Sequence, residues 1–173
     1  MHFGSGCTYN FVQHVKKETI NGVTYMRYVD GDGTIHYFAP DKERDETVNA
    51  QNGTNKTYYY DEDGLGLKIN EYYTNFYSLT DDNGNELIFV NGPLLWINDA
   101  DGNRIAIHYT KNGTATGNDY PPKSDARIEK ITQKNKGSNE ETTIATFQYK
   151  GQTLRDSEVS NYLSCITDYA GNT

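Results

Sequence analysis

Five stretches of this chain share one pattern, an Asp followed three residues later by a Gly, and that pattern imposes tight reversals on the backbone. The full copies are Leu79-Thr80-Asp81-Asp82-Asn83-Gly84-Asn85, Ile97-Asn98-Asp99-Ala100-Asp101-Gly102-Asn103 and Ile166-Thr167-Asp168-Tyr169-Ala170-Gly171-Asn172. Looser copies are Tyr28-Val29-Asp30-Gly31-Asp32-Gly33-Thr34 and Tyr59-Tyr60-Asp61-Glu62-Asp63-Gly64. Asp at the first position of a type I turn accepts a hydrogen bond from the backbone two residues on. Gly three residues later takes a positive φ and supplies the bulge that closes a hairpin. The Asn or Thr that follows restarts the strand.

The flanks of the turns read as strands. Val23–Val29 and Thr34–Ala39 bracket the first turn, and Lys56–Tyr60 and Leu65–Ile69 the second. Phe76–Thr80 and Glu86–Val90 bracket the third, and Leu94–Asn98 and Arg104–Tyr109 the fourth. Within the last of these, Ile105, Ile107 and Tyr109 share one face by the period of two. Asn91-Gly92-Pro93 joins the third and fourth hairpins, so Phe76–Tyr109 reads as a four-strand meander. Beyond it, Lys111–Ser124 is rich in Gly, Asn and Pro and reads as a loop. Ala126–Gln133 and Thr142–Lys150 form another hairpin across the polar Lys134–Glu141. Arg155–Leu163 is the one segment expected to be a short helix, and Asp41–Asn55, charged and polar, is expected to be a mobile surface loop. The expectation is an all-β fold: an antiparallel meander of hairpins in one extended, twisted or spiralling sheet. Residues 1–173 form a single unit, with 1–75 leading into the repeats, 76–110 holding the best-defined ones and 111–173 degenerate copies with long loops.

Composition enters as a constraint on this reading. Hydrophobic residues make up 35 %, mean hydropathy is -0.84 and net charge is -8, a balance that leans toward disorder. Fifteen tyrosines oppose it, because Tyr suits a half-exposed pleated surface with its ring packed and its hydroxyl wet. A pI near 4.9 with scattered Lys and Arg excludes a reader of phosphate backbones. No apolar run approaches the roughly 18 residues that cross a bilayer. Met1–Gly6 lacks the basic and apolar blocks of a signal peptide, so export would depend on a signal outside these residues. Cys7 and Cys165 lie near opposite ends, and a disulfide or two separate thiols both stay open.

The Ile/Leu–Thr pair before Asp-x-x-Gly-Asn resembles the tyrosine–aspartate (YD, or Rhs-type) repeats of bacterial wall-associated and toxin-carrying proteins. Successive Asp positions are separated by 31, 20, 18 and 69 residues, the last interval holding an insertion or degenerate copies. Tyr28–Phe38 looks like the segment upstream of such repeats. Phe3-Gly4-Ser5-Gly6 with Tyr9-Asn10-Phe11 is similar to the glycine-plus-aromatic lead-in, with Cys7 where the family usually has Trp. The resemblance implies an extracellular or cell-surface protein whose long sheet spirals into a hollow, non-catalytic shell. The implied partner is the remainder of the same polypeptide's repeat array, and some members are credited with carbohydrate binding. The stop one residue past the last turn is read as a piece cut from a longer array, whose exposed edge would favour self-association.

Reactive chemistry finds little footing. In an EF-hand reading of Asp30–Gly33 and Asp61–Gly64 the first ligands would be Tyr28 and Tyr59 and the twelfth Ala39 and Asn70, so neither loop qualifies. His2, His14, His36 and His108 are dispersed with no metal-ligand spacing. Gly4-Ser5-Gly6 is too short for a nucleophile elbow. The acids are absorbed by turns and polar loops rather than paired for glycoside hydrolysis. No catalytic residue, metal or cofactor is expected. The alternative function is a carbohydrate-binding β module for cell-wall or host glycan, with Tyr58, Tyr60, Tyr73 and Trp96 as the stacking candidates; the competing role for these rings is cross-strand packing.

Overall fold

A computed structural model describes residues 13–42, 57–109, 127–153 and 159–173. These form one open sheet of twelve strands in sequence order, each antiparallel to the next. The strands are β1 His14–Ile20, β2 Val23–Val29, β3 Ile35–Pro40, β4 Thr57–Asp61, β5 Lys68–Tyr73 and β6 Phe76–Thr80. The rest are β7 Glu86–Val90, β8 Leu94–Asn98, β9 Arg104–Tyr109, β10 Ile128–Lys134, β11 Thr142–Thr153 and β12 Val159–Asp168. The meander expected over Phe76–Tyr109 is β6 to β9, with the bounds its turn chemistry implies.

Turns at the opposite end from the Asp motifs use left-handed asparagines. Asn21 and Gly22 have φ of 51° and 81°, the double positive that a two-residue type I′ hairpin requires. Asn75 at 63° turns β5 into β6, and Asn91 at 52° begins the β7–β8 turn.

Side chains alternate, and one face collects the core. Tyr59, Ile69, Leu79, Leu87, Ile97 and Ile105 stand opposite one another in successive strand pairs. Met26, Phe38, Ile69, Phe89, Leu94, Ile107 and Ile128 are fully buried. The sheet rolls so that this face packs on itself. The Tyr28 ring of β2 meets the Phe89 ring of β7 edge-on at 5.9 Å, although four strands separate them in the sheet. β1 lies against the β7–β8 turn: Val15 N–H donates to Gly92 O at 2.9 Å and Leu94 N–H to Gln13 O at 3.3 Å.

Two expectations are corrected. The helix over 155–163 is not formed at its C-terminal part: Val159–Leu163 belongs to β12, paired residue for residue with β11, from Val159 opposite Thr153. Ladder pairing along a 12-residue neighbour outweighs a weak local helix preference. The strand expected from Leu65 starts at Lys68. There the Asp61 carboxylate accepts from Leu65 N–H at 3.1 Å and Leu67 N–H at 3.2 Å. Gly64 and Gly66 both take positive φ, which widens this loop beyond the common turn. The loops expected at Asp41–Asn55 and Lys111–Ser124 fall almost wholly outside the described residues, as do the lead-in residues and Cys7.

Candidate functional site: a ladder of Asp-Gly turns

In a meander, every second turn lies at the same end of the sheet. The turns after β2, β4, β6, β8, β10 and β12 therefore form a row, and five of the six carry the Asp-x-x-Gly motif.

The full copies are built alike. Asp81 N–H donates to Asn85 O at 3.1 Å and Gly84 N–H to Asp81 O at 3.3 Å. The Asp81 carboxylate accepts from Asn83 N–H at 2.9 Å, Asn85 N–H at 2.8 Å and Asn85 Nδ2 at 2.7 Å. Asp99 with Asn103, and Asp168 with Asn172, repeat the carboxylate–amide bond at 2.7 Å. Gly84, Gly102 and Gly171 have φ of 89°, 93° and 84°, where a side chain is strained. The Asn amide first, then the backbone N–H groups, hold the carboxyls of Asp81, Asp99 and Asp168 below the ordinary Asp range. In the Asp30 turn the Thr34 hydroxyl takes the place of the amide and donates to Asp32 at 2.6 Å, which pulls Asp32 down to about 2. Burial pushes Asp61 upward, but the N–H groups of Leu65 and Leu67 outweigh it and leave it lowered.

The motif Asn has a second role that its position in the sequence does not announce. Its amide nitrogen serves its own turn, while its oxygen reaches the next one. Asn85 Oδ1 accepts from Ala100 N–H at 3.2 Å, and Asn103 Oδ1 accepts from Lys136 N–H at 3.0 Å. Each hairpin is thus clasped to its successor through one side chain. The earlier turns are linked differently. His36 lies between Asp30 and Asp63, 3.1 Å and 3.4 Å from its two ring nitrogens, and Lys68 Nζ meets Asp82 at 2.8 Å. The signal that could have exposed the clasp was present: Asn recurs after Gly in all three full copies.

The four aromatic candidates do not converge. Tyr58 is buried, while Tyr60 and Tyr73 are 46 % and 76 % exposed. Tyr58 and Trp96 stand in one cross-strand row through Asn70, Ser78 and Ile88, four strand spacings or roughly 19 Å apart along the sheet. The Arg104 guanidinium lies 4.6 Å over the Trp96 ring, on a face a sugar would need for stacking. Tyr60 lies opposite Lys68 at one end of β5, and Tyr73 is at the other end, edge-on to Phe76 at 6.2 Å.

One polar cluster was missed from sequence because its members are far apart in it. Thr132 Oγ1 lies 2.9 Å from His108 Nε2 and donates to Glu141 Oε2 at 3.3 Å. This is not the order of a catalytic triad. Glu141 Oε2 lies 4.0 Å from the same Nε2 that meets the hydroxyl, rather than on the other ring nitrogen as a triad has it, and Thr132 is buried. Burial first, then Lys130, lowers the His108 pKa. Cys165 is a free thiol 3.6 Å from Thr167 Oγ1. Among the described residues no three His, Cys, Asp or Glu are grouped to hold a metal, and no helix is long and apolar enough to cross a membrane. No family model, curated protein or solved structure matches the chain.

Proposed function

We propose that this chain is a non-catalytic β scaffold, a run of self-stitching hairpins forming part of a shell of the YD/Rhs type in an exported bacterial surface or toxin-delivery protein. The observation that carries this reading is the repeated clasp, Asn85 to Ala100 and Asn103 to Lys136. A motif whose side chain closes one turn and fastens the next is suited to extending a sheet. The motif Asp and Asn side chains of the turn row bond to their own backbone and to neighbouring turns. Electron microscopy of the protein as its natural reading frame encodes it tests the reading: a hollow β shell is expected. A discrete monomeric module with submillimolar affinity on a glycan array would overturn it.

The carbohydrate-binding alternative draws on the exposure of Tyr60 and Tyr73. It requires retardation in a glycan-containing gel that Tyr60→Ala or Tyr73→Ala abolishes. The scaffold reading expects no retardation.

A further inference from the structure

Two pairs of strong cations face each other directly across neighbouring strands, where side chains start roughly 5 Å apart and like charges repel. Lys16 of β1 lies opposite Arg27 of β2, and Arg104 of β9 lies opposite Lys134 of β10. The first pair is relieved: Glu18 Oε2 is 3.6 Å from both Lys16 Nζ and Arg27 Nε. The second has no carboxylate at ion-pair distance among the described residues, although the chain as a whole carries a net charge of -8.

The row that holds this pair keeps its other charges apart. Lys68, Thr80, Glu86, Asn98, Arg104 and Lys134 stand opposite one another from β5 to β10, and a neutral residue separates the charges until Arg104 meets Lys134. Arg104 is also held in place. Its Nε donates to Asn98 Oδ1 at 2.8 Å, Asn98 Nδ2 donates to Glu86 Oε2 at 2.9 Å, and the guanidinium lies 4.6 Å over the Trp96 ring. These contacts fix the plane of the guanidinium and leave Nη1 and Nη2 without an acceptor among the described residues. Lys136, in the β10–β11 connection, runs its stem beside Gly102 and brings a third cation to this end of the strands.

We infer that Arg104 and Lys134 form a binding site for one phosphate group, as a phosphomonoester or as free phosphate. The open edge of the guanidinium takes two phosphate oxygens as a bidentate pair, and the Lys134 ammonium takes a third. Two positive charges match the nearly two negative charges of a phosphomonoester at neutral pH, whereas a carboxylate supplies one. The net charge of -8 repels a long polyanion, but a single group meets the local field of the pair. The site goes beyond the scaffold reading and does not depend on it.

Trp96 is the one tryptophan of the chain, so its emission reports on the guanidinium above it. The titrants are inorganic phosphate and glycerol 2-phosphate, each set against sodium chloride at matched ionic strength. A saturable change in Trp96 emission and a shift of the Arg104 Nε–H resonance are expected with both phosphates and not with chloride, and the tighter of the two identifies the source. Lys134→Gln should weaken binding about tenfold. Arg104→Lys, which keeps the charge and loses the fork, should weaken it at least as much. Lys150→Gln, on β11, should leave it unchanged. In phosphate-free buffer at low salt the thermal midpoint of Lys134→Gln should be no lower than that of the parent, because the substitution removes a repulsion. The inference is overturned if neither signal responds to millimolar phosphate, if chloride reproduces the response, or if Lys150→Gln weakens binding as much as Lys134→Gln. A lower midpoint in Lys134→Gln would show that Lys134 serves the fold and would overturn it as well.

Discussion

Lys17 of β1 reaches across the rolled sheet to Glu71 of β5, its Nζ 2.7 Å from Oε2. Glu71 stands on the core side, opposite Tyr77, with 11 % of its side chain exposed. Burial and then the Glu71 charge push the Tyr77 hydroxyl up to about 12. Lys17 is 43 % exposed, so solvent screens the pair and discounts its strength. Glu71→Ala should cost about 1–2 kcal/mol. In a double-mutant cycle by urea unfolding, Lys17→Ala should add little once Glu71 is gone. Full additivity would mean that the pair does not hold β1 in place. In Glu71→Gln the Tyr77 hydroxyl should titrate at lower pH, though still above 10.0, because burial is the larger cause.

The clasp predicts unequal costs for identical substitutions. Asn103→Ala removes the bond to Asp99 and the bond from Lys136, whereas Asn172→Ala removes only the bond to Asp168. The first should cost about 1–2 kcal/mol and the second about half as much, measured by chemical denaturation of both variants. Equal costs would show that the inter-turn bond contributes nothing.

Gly102 tests the turn backbone itself. Its φ of 93° is strained for any side chain, and an added Cβ would also sit 3.5 Å from the Lys136 stem. Gly102→Ala should destabilise the chain by about 1–2 kcal/mol. An unchanged urea midpoint would contradict the turn geometry.

Acid should weaken the fold in two stages. The folded-state pKa of His108 is lowered from 6.5, so below that value the unfolded chain binds protons more readily and stability falls with pH. The turn carboxyls of Asp81, Asp99 and Asp168 are lowered from 3.8, so their contribution is present above 3.8 and is lost as pH falls below it. Thermal midpoints across pH should show both declines, and His108→Gln should remove the upper one. A midpoint that is flat from pH 7 to 4 would refute the burial of a neutral His108.

Packing separates the aromatic residues by role. Phe89 is fully buried against Tyr28, and Phe89→Ala should cost about 3–5 kcal/mol. Tyr73 is 76 % exposed, and Tyr73→Ala should stay within about 0.5 kcal/mol. Calorimetry of the two variants distinguishes a ring that holds the roll from one that decorates it.

Local chemistry by itself determined the hairpins. Asp accepting from the backbone and Gly at positive φ act within five residues, so the turns of Asp30, Asp81, Asp99 and Asp168, and the strand bounds of β6 to β9, were legible without coordinates. Asn21-Gly22 is an equally strong hairpin signal, but His14–Ile20 before it lacks the apolar alternation of a strand, and in the fold β1 buries only Val15. Only the tertiary structure decided the roll that seats Phe89 on Tyr28, the ion pair between β1 and β5, and the strand state of Val159–Leu163. Those depend on contacts between residues tens of positions apart, and no local periodicity encodes which strands meet once a sheet curls. The Asn clasp lies between the two: the residue recurs visibly in the sequence, but which turn its oxygen reaches is set by the stacking of whole hairpins.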